Sequence, residues 1–303
     1  MMESDIYGLI GHPIDKSLSP KLFNAGYGGE LRYDLIEGSD FLTSWKRFLE
    51  SYRAINVTAP FKEQAYAQAA ALARDGYGSI SGPCLKTGAT NLLVKDRESG
   101  QIHAHNSDFT GVILSVGETL FPGLVRQCYE VFGEKGYIKV HQFIRQNLTE
   151  HYGRRPQALV VGCGGAGKAA AVAAAEMGFS TILMNRTEAR ARAFALEVPE
   201  YGFIVDPVSD FCGAVKECEL VVYTLPMAMD GCHIPQGEEL VGDGPVRKVL
   251  LEANYKSPVF APGPGYDYVS GRKWLLYQAL TGYGIMTGRT PSAEAMEEAM
   301  KYG

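Results

Sequence analysis

The sequence predicts an α/β protein with two domains, and three observations support this fold class. The chain has 303 residues, which corresponds to about two domains of about 150 residues each. Short apolar segments rich in β-branched residues alternate with segments of helical periodicity, as in parallel sheets joined by right-handed crossovers. A glycine-rich segment at residues 162–167 also lies between a strand-like and a helix-like segment.

The first domain is expected to be a mixed α/β unit within residues 1–112. Its strands are predicted at residues 6–10, 32–36, 54–57, 91–94 and 102–105, each a short β-rich segment. The last two strands flank a polar, glycine-containing turn at 96–100 and predict a hairpin. Helices are expected where Phe41, Trp45 and Phe48 recur at helical spacing and across the alanine-rich residues 63–74.

The second domain is expected at residues 156–267 as a Rossmann-type, doubly wound unit. Its strands are predicted at residues 158–161, 181–184, 203–205, 220–224 and 249–252. Residues 268–303 are helical in pattern, and Pro291 and Ser292 mark the start of the last helix. Residues 113–155 fit neither pattern and are interpreted as a helical insertion, because Val140, Phe143, Ile144 and Leu148 share a helical spacing.

Composition excludes several classes of protein. The 29 basic and 34 acidic residues give a net charge of −5, which is unlike a nucleic-acid-binding or membrane-surface protein. No apolar run approaches the roughly 20 residues of a membrane span, and no secretion signal is visible. The six cysteines form no CxxC pair, so reduced thiols in a cytoplasmic protein are expected. His103 and His105 lack a third ligand at suitable spacing, so no metal is expected.

The glycine-rich segment predicts a dinucleotide-binding turn. Its candidate cofactor-binding residues are Gly162, Gly164, Gly165, Ala166 and Gly167. Glycines allow a tight turn after the strand, and the N-terminus of the following helix faces a pyrophosphate. The alternative is a tight turn without a ligand. A nucleotide-hydrolase P-loop is disfavoured, because Ala169 stands where the motif needs a hydroxyl for Mg²⁺.

The end of the next predicted strand favours NADP over NAD. NAD-binding proteins place an acidic residue there, whereas this chain has Asn185, Arg186 and Thr187, with Arg190 one helical turn later. Guanidinium groups suit a dianionic 2′-phosphate. The alternative for Arg190 is an ordinary solvated charge on a helix.

Polar residues also follow the predicted strands of the first domain. These candidates are Ser17, Ser19, Thr58, Lys62, Asn91 and Asp108. Hydroxyl, amide, ammonium and carboxylate groups at strand ends would suit a polyhydroxylated, non-phosphorylated ligand. Each residue also has a structural alternative, such as a helix cap at Ser19, an Asx turn at Asp108 or a surface charge at Lys62.

Seven ordered motifs resemble those of the shikimate dehydrogenase family along nearly the whole chain. The matching segments are GHPIDKSLSP at residues 11–20, NVTAPFK at 56–62, GATN at 88–91, NSDFTG at 106–111, GCGGAGKA at 162–169, NRTEARA at 185–191 and GRKWLLYQA at 271–279. The chain departs from the family at Phe23, where the family has His, and in residues 223–226 and 252–258. It also has about 30 more residues than the family usually has between Asp108 and Gly162, a surplus that coincides with the predicted insertion.

The resemblance implies a function and a set of roles. It implies reversible, NADP-dependent reduction of 3-dehydroshikimate to shikimate in aromatic amino acid biosynthesis. It implies substrate contacts from Ser17, Ser19, Thr58, Asn91, Asp108, Tyr255 and Gln278. Lys62 and Asp108 would be the catalytic pair, with either as the formal acid–base, which agrees with the proton transfer that must accompany hydride transfer at a hydroxyl carbon. Because Gln278 lies late in the chain, the resemblance also implies that residues 268–303 return to the first domain.

Two other functions fit the same residues. The first is a quinate or dual quinate/shikimate dehydrogenase that uses NAD, which Arg186 argues against. The second is a non-catalytic module that senses a metabolite of the same pathway, which the presence of both Lys62 and Asp108 disfavours. The expected partners are small molecules only, with no nucleic acid or membrane, and the chain is expected to be a monomer or a homodimer.

Overall fold

A computed structural model describes residues 5–229 and 248–301. The chain divides into two compact units, one formed by Met1–Ser107 with Gln278–Gly303 and one by Asp108–Tyr277. Both divisions fall inside helices, α5 at Ser107–Leu120 and α11 at Gly271–Thr287. The sequence places the domain boundaries at residues 112 and 268, about five residues after the first division and about ten residues before the second. These boundaries remain a prediction.

The first unit contains a mixed six-stranded sheet among its described residues. Its strands are β1 (Ile6–Gly11), β2 (Arg32–Glu37), β3 (Ala54–Val57), β4 (Gly78–Ile80), β5 (Leu92–Lys95) and β6 (Ile102–His105). Their order is β2-β1-β3-β5-β6-β4. β1 pairs in parallel with β2 and β3, whereas β5 and β6 form the antiparallel hairpin that the polar turn predicts.

Helices pack on both faces of this sheet because each presents one apolar stripe. They are α1 (Ser19–Gly26), α2 (Phe41–Ser51), α3 (Lys62–Arg74), α4 (Gly82–Thr87), the second part of α11 and α12 (Ala293–Lys301). Phe41, Trp45 and Phe48 of α2 are buried together with β1, β3 and α3, as their helical spacing predicts. Ser292 caps α12 by accepting a hydrogen bond from Ala295 N at 3.3 Å, at the helix start that the sequence predicts.

The second unit contains a parallel six-stranded sheet among its described residues. Its strands are β7 (Gln157–Val161), β8 (Ser180–Met184), β9 (Ile204–Val205), β10 (Leu220–Tyr223), β11 (Lys248–Glu252) and β12 (Tyr266–Val269). Their order is β12-β11-β10-β7-β8-β9, with every neighbouring pair parallel. This is the 3-2-1-4-5-6 order of doubly wound dinucleotide-binding sheets, with the switch point between β7 and β10.

Helices of the second unit include those of the predicted insertion. They are α5, α6 (Leu124–Phe132), α7 (Gly136–Tyr152), α8 (Gly165–Met177), α9 (Glu188–Glu197) and α10 (Phe211–Glu217). α7 buries Val140, Ile144 and Leu148, as predicted, but Phe143 from the same pattern is 39% exposed. The His141 ring lies 3.0 Å from the Glu176 carbonyl oxygen, so α7 contacts α8.

Two strands, β4 and β12, have no counterpart among the sequence predictions. Both are short, with three and four residues. Among the described helices, none combines the length and apolar character that a bilayer crossing requires. The cysteines described, Cys84, Cys128, Cys163, Cys212 and Cys218, are free thiols. Cys232 lies outside the described residues.

Candidate active site

In the first unit, the loops that follow β1 and β3 lie side by side. β1 and β3 are parallel neighbours, so their carboxyl ends meet at one edge of the sheet. Two backbone hydrogen bonds join the loops: His12 N donates to Ala59 O at 3.2 Å, and Thr58 N donates to Ile10 O at 2.9 Å. The sheet therefore places the segment after β1, which leads to Ser17 and Ser19, next to the start of the Thr58–Lys62 segment, and the sequence singles out the two separately.

Ser17 and Ser19 contact each other at the start of α1. The Ser17 hydroxyl donates to the Ser19 hydroxyl at 3.2 Å, and Ser19 N donates back to the Ser17 hydroxyl, also at 3.2 Å. Ser17 is half-buried and Ser19 is 9% exposed. A hydroxyl can rotate to turn its proton toward a ligand, so two adjacent hydroxyls at the edge of a sheet can serve as donors to an anionic group such as a carboxylate.

Thr58 and Lys62 occupy the turn that joins β3 to α3. Phe61 N donates to Thr58 O at 3.0 Å and closes this turn, after which Lys62 begins the helix. Both side chains are half-buried. The Lys62 carbonyl accepts from Thr90 N at 3.1 Å, which ties the start of α3 to the segment before β5. Lys62 is therefore held by its backbone on a rigid element, beside the start of β5.

Asn91 fixes the start of α5. Its side chain is 3% exposed, its Oδ1 accepts from Ser107 N at 2.7 Å, and its Nδ2 donates to Ser107 Oγ at 3.0 Å. Asp108 follows Ser107 directly and is also 3% exposed. Its carbonyl oxygen accepts from Trp274 Nε1 at 3.1 Å in the second unit. Asn91 thus serves to orient the first turn of α5, where Asp108 stands.

The two remaining predicted substrate residues lie elsewhere in the chain. Gln278 is half-buried within α11, in the part that belongs to the first unit. Tyr255 is half-buried in the loop after β11, in the second unit. Its neighbour Asn254 holds this loop, donating to Pro226 O at 2.8 Å and accepting from Ser257 N at 3.1 Å.

The glycine-rich turn of the second unit lies at the switch point of the parallel sheet. Gly162 has φ +102°, a conformation that side-chain-bearing residues rarely adopt. A Cβ at Gly167 would overlap the Gly162 carbonyl oxygen, so this position also needs glycine. At Gly164 a Cβ would meet no atom within 4 Å, so the turn has open space in front of α8. The unpaired N–H groups of the first turn of α8 begin there, and such a cradle fits a pyrophosphate.

Asn185 connects this turn to the end of β8. Its Oδ1 accepts from Cys163 N at 3.0 Å, and its Nδ2 donates to Thr187 O at 2.8 Å. The Asn185 side chain therefore has a structural role in holding the turn. Burial raises the pKa of the adjacent Cys163 thiol to about 11, against the opposing charges of Lys168 and Arg190, so the thiol is neutral.

Two arginines near the end of β8 are exposed. Arg186 and Arg190 have no ion-pair partner within the described ranges, whereas Arg192 donates to Glu188 at 2.6 Å. Arg192 thus forms an ion pair on the surface of α9. The sequence allowed a similar role, a charge on the helix surface, for Arg190. The two guanidiniums that remain fit a 2′-phosphate next to the adenosine ribose, the NADP-specific group.

Three residues that the sequence did not indicate support these loops. Glu252, at the end of β11, is fully buried and accepts from Val259 N, Phe260 N and the Tyr268 hydroxyl. Tyr33 and Tyr283 contact Asn56 and Ser19, respectively. A buried acidic residue at a strand end and tyrosines that flank a polar motif are the only signals that could have indicated them. Among the described residues, no group of three or more His, Cys, Asp or Glu side chains is placed to hold a metal ion.

Comparisons with known proteins identify the fold and the family of the chain. A sequence model of the shikimate dehydrogenase substrate binding domain matches residues 9–77, which include the two adjoining loops. The crystal structure of shikimate 5-dehydrogenase from Thermus thermophilus, in complex with NADP(H) and shikimate, superimposes with a TM-score of 0.71 at 22% identity and 98% coverage of both chains. Quinate dehydrogenase from Corynebacterium glutamicum in complex with NAD also gives 0.71, at 20% identity, with 98% of this chain and 99% of that chain covered. These likenesses confirm the predicted α/β fold class.

Sequence relatives extend the match over the whole chain. The NADP(+) shikimate dehydrogenase of Natronomonas pharaonis is 29% identical over 312 residues, and the alignment covers 98% of each chain. The enzyme of the same name from Halorubrum lacusprofundi is 30% identical over 313 residues, again with 98% of each chain covered. This chain therefore belongs to the shikimate dehydrogenase family.

Proposed function

We propose that the protein is an NADP-dependent shikimate dehydrogenase, an oxidoreductase that interconverts 3-dehydroshikimate and shikimate. The observation that carries this proposal is the junction of the Ser17–Ser19 loop with the Thr58–Lys62 turn at one sheet edge, in a chain whose full-length relatives carry this activity by name. Substrate-binding chemistry and a dinucleotide-binding sheet occur in the same chain, as this reaction requires.

The site residues supply complementary groups for a polyhydroxylated acid. Ser17 and Ser19, whose hydroxyls lie 3.2 Å apart, bind the carboxylate. Thr58, Asn91, Asp108 and Gln278 bind the ring hydroxyls, and Tyr255 adds a further hydroxyl. Hydroxyl and amide groups that already have fixed positions lose little freedom when they bind such a ligand.

Lys62 and Asp108 handle the proton at the oxygen that changes between hydroxyl and carbonyl. NADP supplies the hydride acceptor and donor. Oxidation of the alcohol releases a proton, and a positioned ammonium–carboxylate pair accepts it and stabilises negative charge on the oxygen. Lys62 starts α3, and Asp108 lies in the first turn of α5, so rigid elements hold both groups.

The cofactor is bound by the turn at Gly162–Ala166–Gly167 and by the segment after β8. Gly164 leaves room for the pyrophosphate in front of α8, and Gly165 begins that helix. Asn185 holds the turn, while Arg186, Thr187 and Arg190 bind the 2′-phosphate. In this proposal, the positive charge of the two arginines determines the preference for NADP over NAD, and the glycine-rich turn does not.

Replacement of the lysine tests the proposed chemistry. Lys62→Ala removes the ammonium and is expected to lower kcat by about 10²–10⁴-fold, the usual contribution of a positioned acid–base group. Binding of NADP, measured by fluorescence titration, should be unchanged. Lys46→Ala is the matched control, because the Lys46 side chain is 77% exposed on α2 of the same unit. Near-normal turnover of Lys62→Ala would contradict the role.

The wider setting is part of the proposal. The substrate is a small molecule, and the enzyme acts in the cytoplasm as a monomer or a homodimer. Free thiols at the five described cysteines support a reducing compartment. The domain boundaries are taken at residues 112 and 268, with residues 113–155 as an added helical segment. Sedimentation velocity of the purified chain would separate the two oligomeric states.

A further inference from the structure

An aromatic cluster lies beneath the substrate loops of the first unit. Phe23 is fully buried at its centre, with ring centroids of Tyr7, Tyr27, Tyr33 and Tyr283 at 5.2, 4.9, 4.6 and 4.9 Å. The shikimate dehydrogenase motif has histidine where this chain has Phe23. Phenylalanine offers no hydrogen bond, so the tyrosine hydroxyls must find partners outside the ring cluster.

Two of these hydroxyls contact residues of the proposed site. Tyr33 donates to Asn56 Oδ1 at 2.8 Å, and Tyr283 donates to the Ser19 carbonyl oxygen at 3.0 Å. The Ser19 side chain is also a hydrogen-bond partner of the Tyr33 hydroxyl. The cluster therefore holds Ser19 through both its backbone and its side chain.

Further hydrogen bonds connect Ser19 and Asn56 to other residues of the site. On one side, the Ser17 hydroxyl donates to the Ser19 hydroxyl at 3.2 Å. On the other, Asn56 Nδ2 donates to the Asn91 carbonyl oxygen at 3.4 Å, beside the Asn91 side chain that orients α5. One chain of hydrogen bonds thus links the β1 loop, the end of β3 and the start of β5, and Tyr33 is its central member.

We propose that Tyr33 and Tyr283 are positioning residues that hold Ser17 and Ser19 ready for the substrate carboxylate. The inference rests on the proposed function and deepens it, because it assigns the order of the carboxylate-binding loop to residues that do not themselves contact substrate. Preformed donors pay less entropy when the ligand binds, so these tyrosines should affect substrate affinity more than turnover.

The protonation state of the Tyr33 hydroxyl supports this positioning role. Burial, and after it the neighbouring Tyr283, raises the pKa of Tyr33 well above its usual value of 10. Tyr33 thus stays neutral at neutral pH and keeps its proton as a donor. A tyrosine also has few rotatable bonds, and packing against Phe23 fixes its ring.

Single tyrosine-to-phenylalanine variants test the proposal. Tyr33→Phe and Tyr283→Phe remove one hydroxyl each and leave the ring cluster intact. Each is expected to raise KM for shikimate about tenfold, equivalent to about 1.4 kcal/mol, while kcat changes less than about twofold. KM for NADP should not change, since the proposed cofactor residues lie in the other unit. Tyr52→Phe is the matched control, because this buried tyrosine bonds Asp34 at 3.2 Å and belongs to the core that includes α2.

A double-mutant cycle distinguishes positioning from general structural support. In a Ser19→Ala background Tyr33 keeps its bond to Asn56 but loses the Ser19 side chain, so Tyr33→Phe should raise KM less than about threefold. The methyl ester of shikimate lacks the carboxylate charge, and Tyr33→Phe should affect its KM less than that of shikimate. An unchanged KM for shikimate in Tyr33→Phe, or the same tenfold rise in the Ser19→Ala background, would overturn the inference.

The activity of the wild-type chain shows whether the proposed function or only this inference has failed. If the wild type does not oxidise shikimate with NADP, the proposed function fails, and this inference fails with it. If the wild type is active and Tyr33→Phe behaves like Tyr52→Phe, the inference alone fails.

Discussion

Replacement of Glu252 should destabilise the second unit strongly, because its carboxylate is fully buried and holds the loop after β11 at two points and the Tyr268 side chain of β12 at a third. Val259 N donates to Oε1 at 2.6 Å, and Phe260 N and the Tyr268 hydroxyl donate to Oε2 at 3.2 and 2.9 Å. Glu252→Ala leaves all three donors without this acceptor, which should lower the free energy of unfolding by about 3–5 kcal/mol. Tyr268→Phe removes only one of the bonds and should cost about 1–2 kcal/mol.

Glu252→Gln separates charge from shape. The amide keeps one acceptor oxygen but turns an NH₂ group toward either Val259 N or the two donors at the other oxygen, so an intermediate loss of about 2–4 kcal/mol is expected. For a unit of this size, about 1 kcal/mol corresponds to about 2–4 °C in Tm. Glu252→Ala should therefore lower Tm by about 6–20 °C, and Tyr268→Phe by about 2–8 °C.

The assay is calorimetric unfolding of the full-length variants. Glu188→Ala is the control, because the exposed Glu188–Arg192 pair on α9 should contribute less than about 1 kcal/mol. The loop between β11 and Phe260 carries Tyr255, so Glu252→Gln should also raise KM for shikimate in the proposed enzyme. A Tm for Glu252→Ala equal to that of Glu188→Ala would refute the reasoning.

Three further predictions concern the cofactor turn and pH. Arg186→Asp should shift the ratio of kcat/KM for NADP over NAD by about 10–100-fold toward NAD in steady-state assays, and an unchanged ratio would count against its 2′-phosphate role. Gly167→Ala should weaken NADPH binding at least tenfold in a fluorescence titration, since its Cβ overlaps the Gly162 carbonyl oxygen; wild-type affinity would refute this. Burial, and after it His103, lowers the pKa of His105 from 6.5 to about 4. Below pH 6.5 the unfolded chain therefore gains a proton that the folded chain does not, and stability falls toward pH 4 by up to about 3 kcal/mol. His105→Gln should flatten Tm between pH 6.5 and pH 4, and an equally steep profile would contradict the shift.

The sequence predicts most strands of both sheets, because these strands are short segments rich in β-branched and aromatic residues. It predicts ten of the strands described, whereas β4 and β12 are missed. β4 has only the residues Gly78, Ser79 and Ile80, which is too short for any periodicity. β12 follows a segment rich in proline and glycine that is interpretable from the sequence only as a loop.

Side-chain orientation is less accessible to sequence reasoning than element type. Phe143 shares the helical spacing of Val140 and Ile144, yet it lies at the edge of the α7 stripe, where it meets Phe121 at 5.1 Å between ring centroids. A helical stripe has a finite width, and tertiary packing decides which edge residue is covered.

In the candidate site, too, the sequence predicts some features and leaves others to the three-dimensional structure. Motifs indicate the residues that would contact ligands, because polar groups at strand ends are conspicuous against apolar strands. The β1 and β3 loops are adjacent because of the strand order. In that order β1 lies between β2 and β3. Supporting residues such as Tyr33 and Glu252 are recognised by their buried contacts, and the sequence offers only weak signals for them, a tyrosine near a polar motif and an acidic residue at a strand end.

The central claim is tested most directly by one assay of the purified chain. Reduction of NADP and of NAD is followed with shikimate and with quinate at equal concentrations. NADP with shikimate should give the highest kcat/KM of the four combinations. A higher value for quinate with NAD would indicate a quinate dehydrogenase. Binding of shikimate without turnover of either cofactor would indicate a sensing module, and either result would contradict the account.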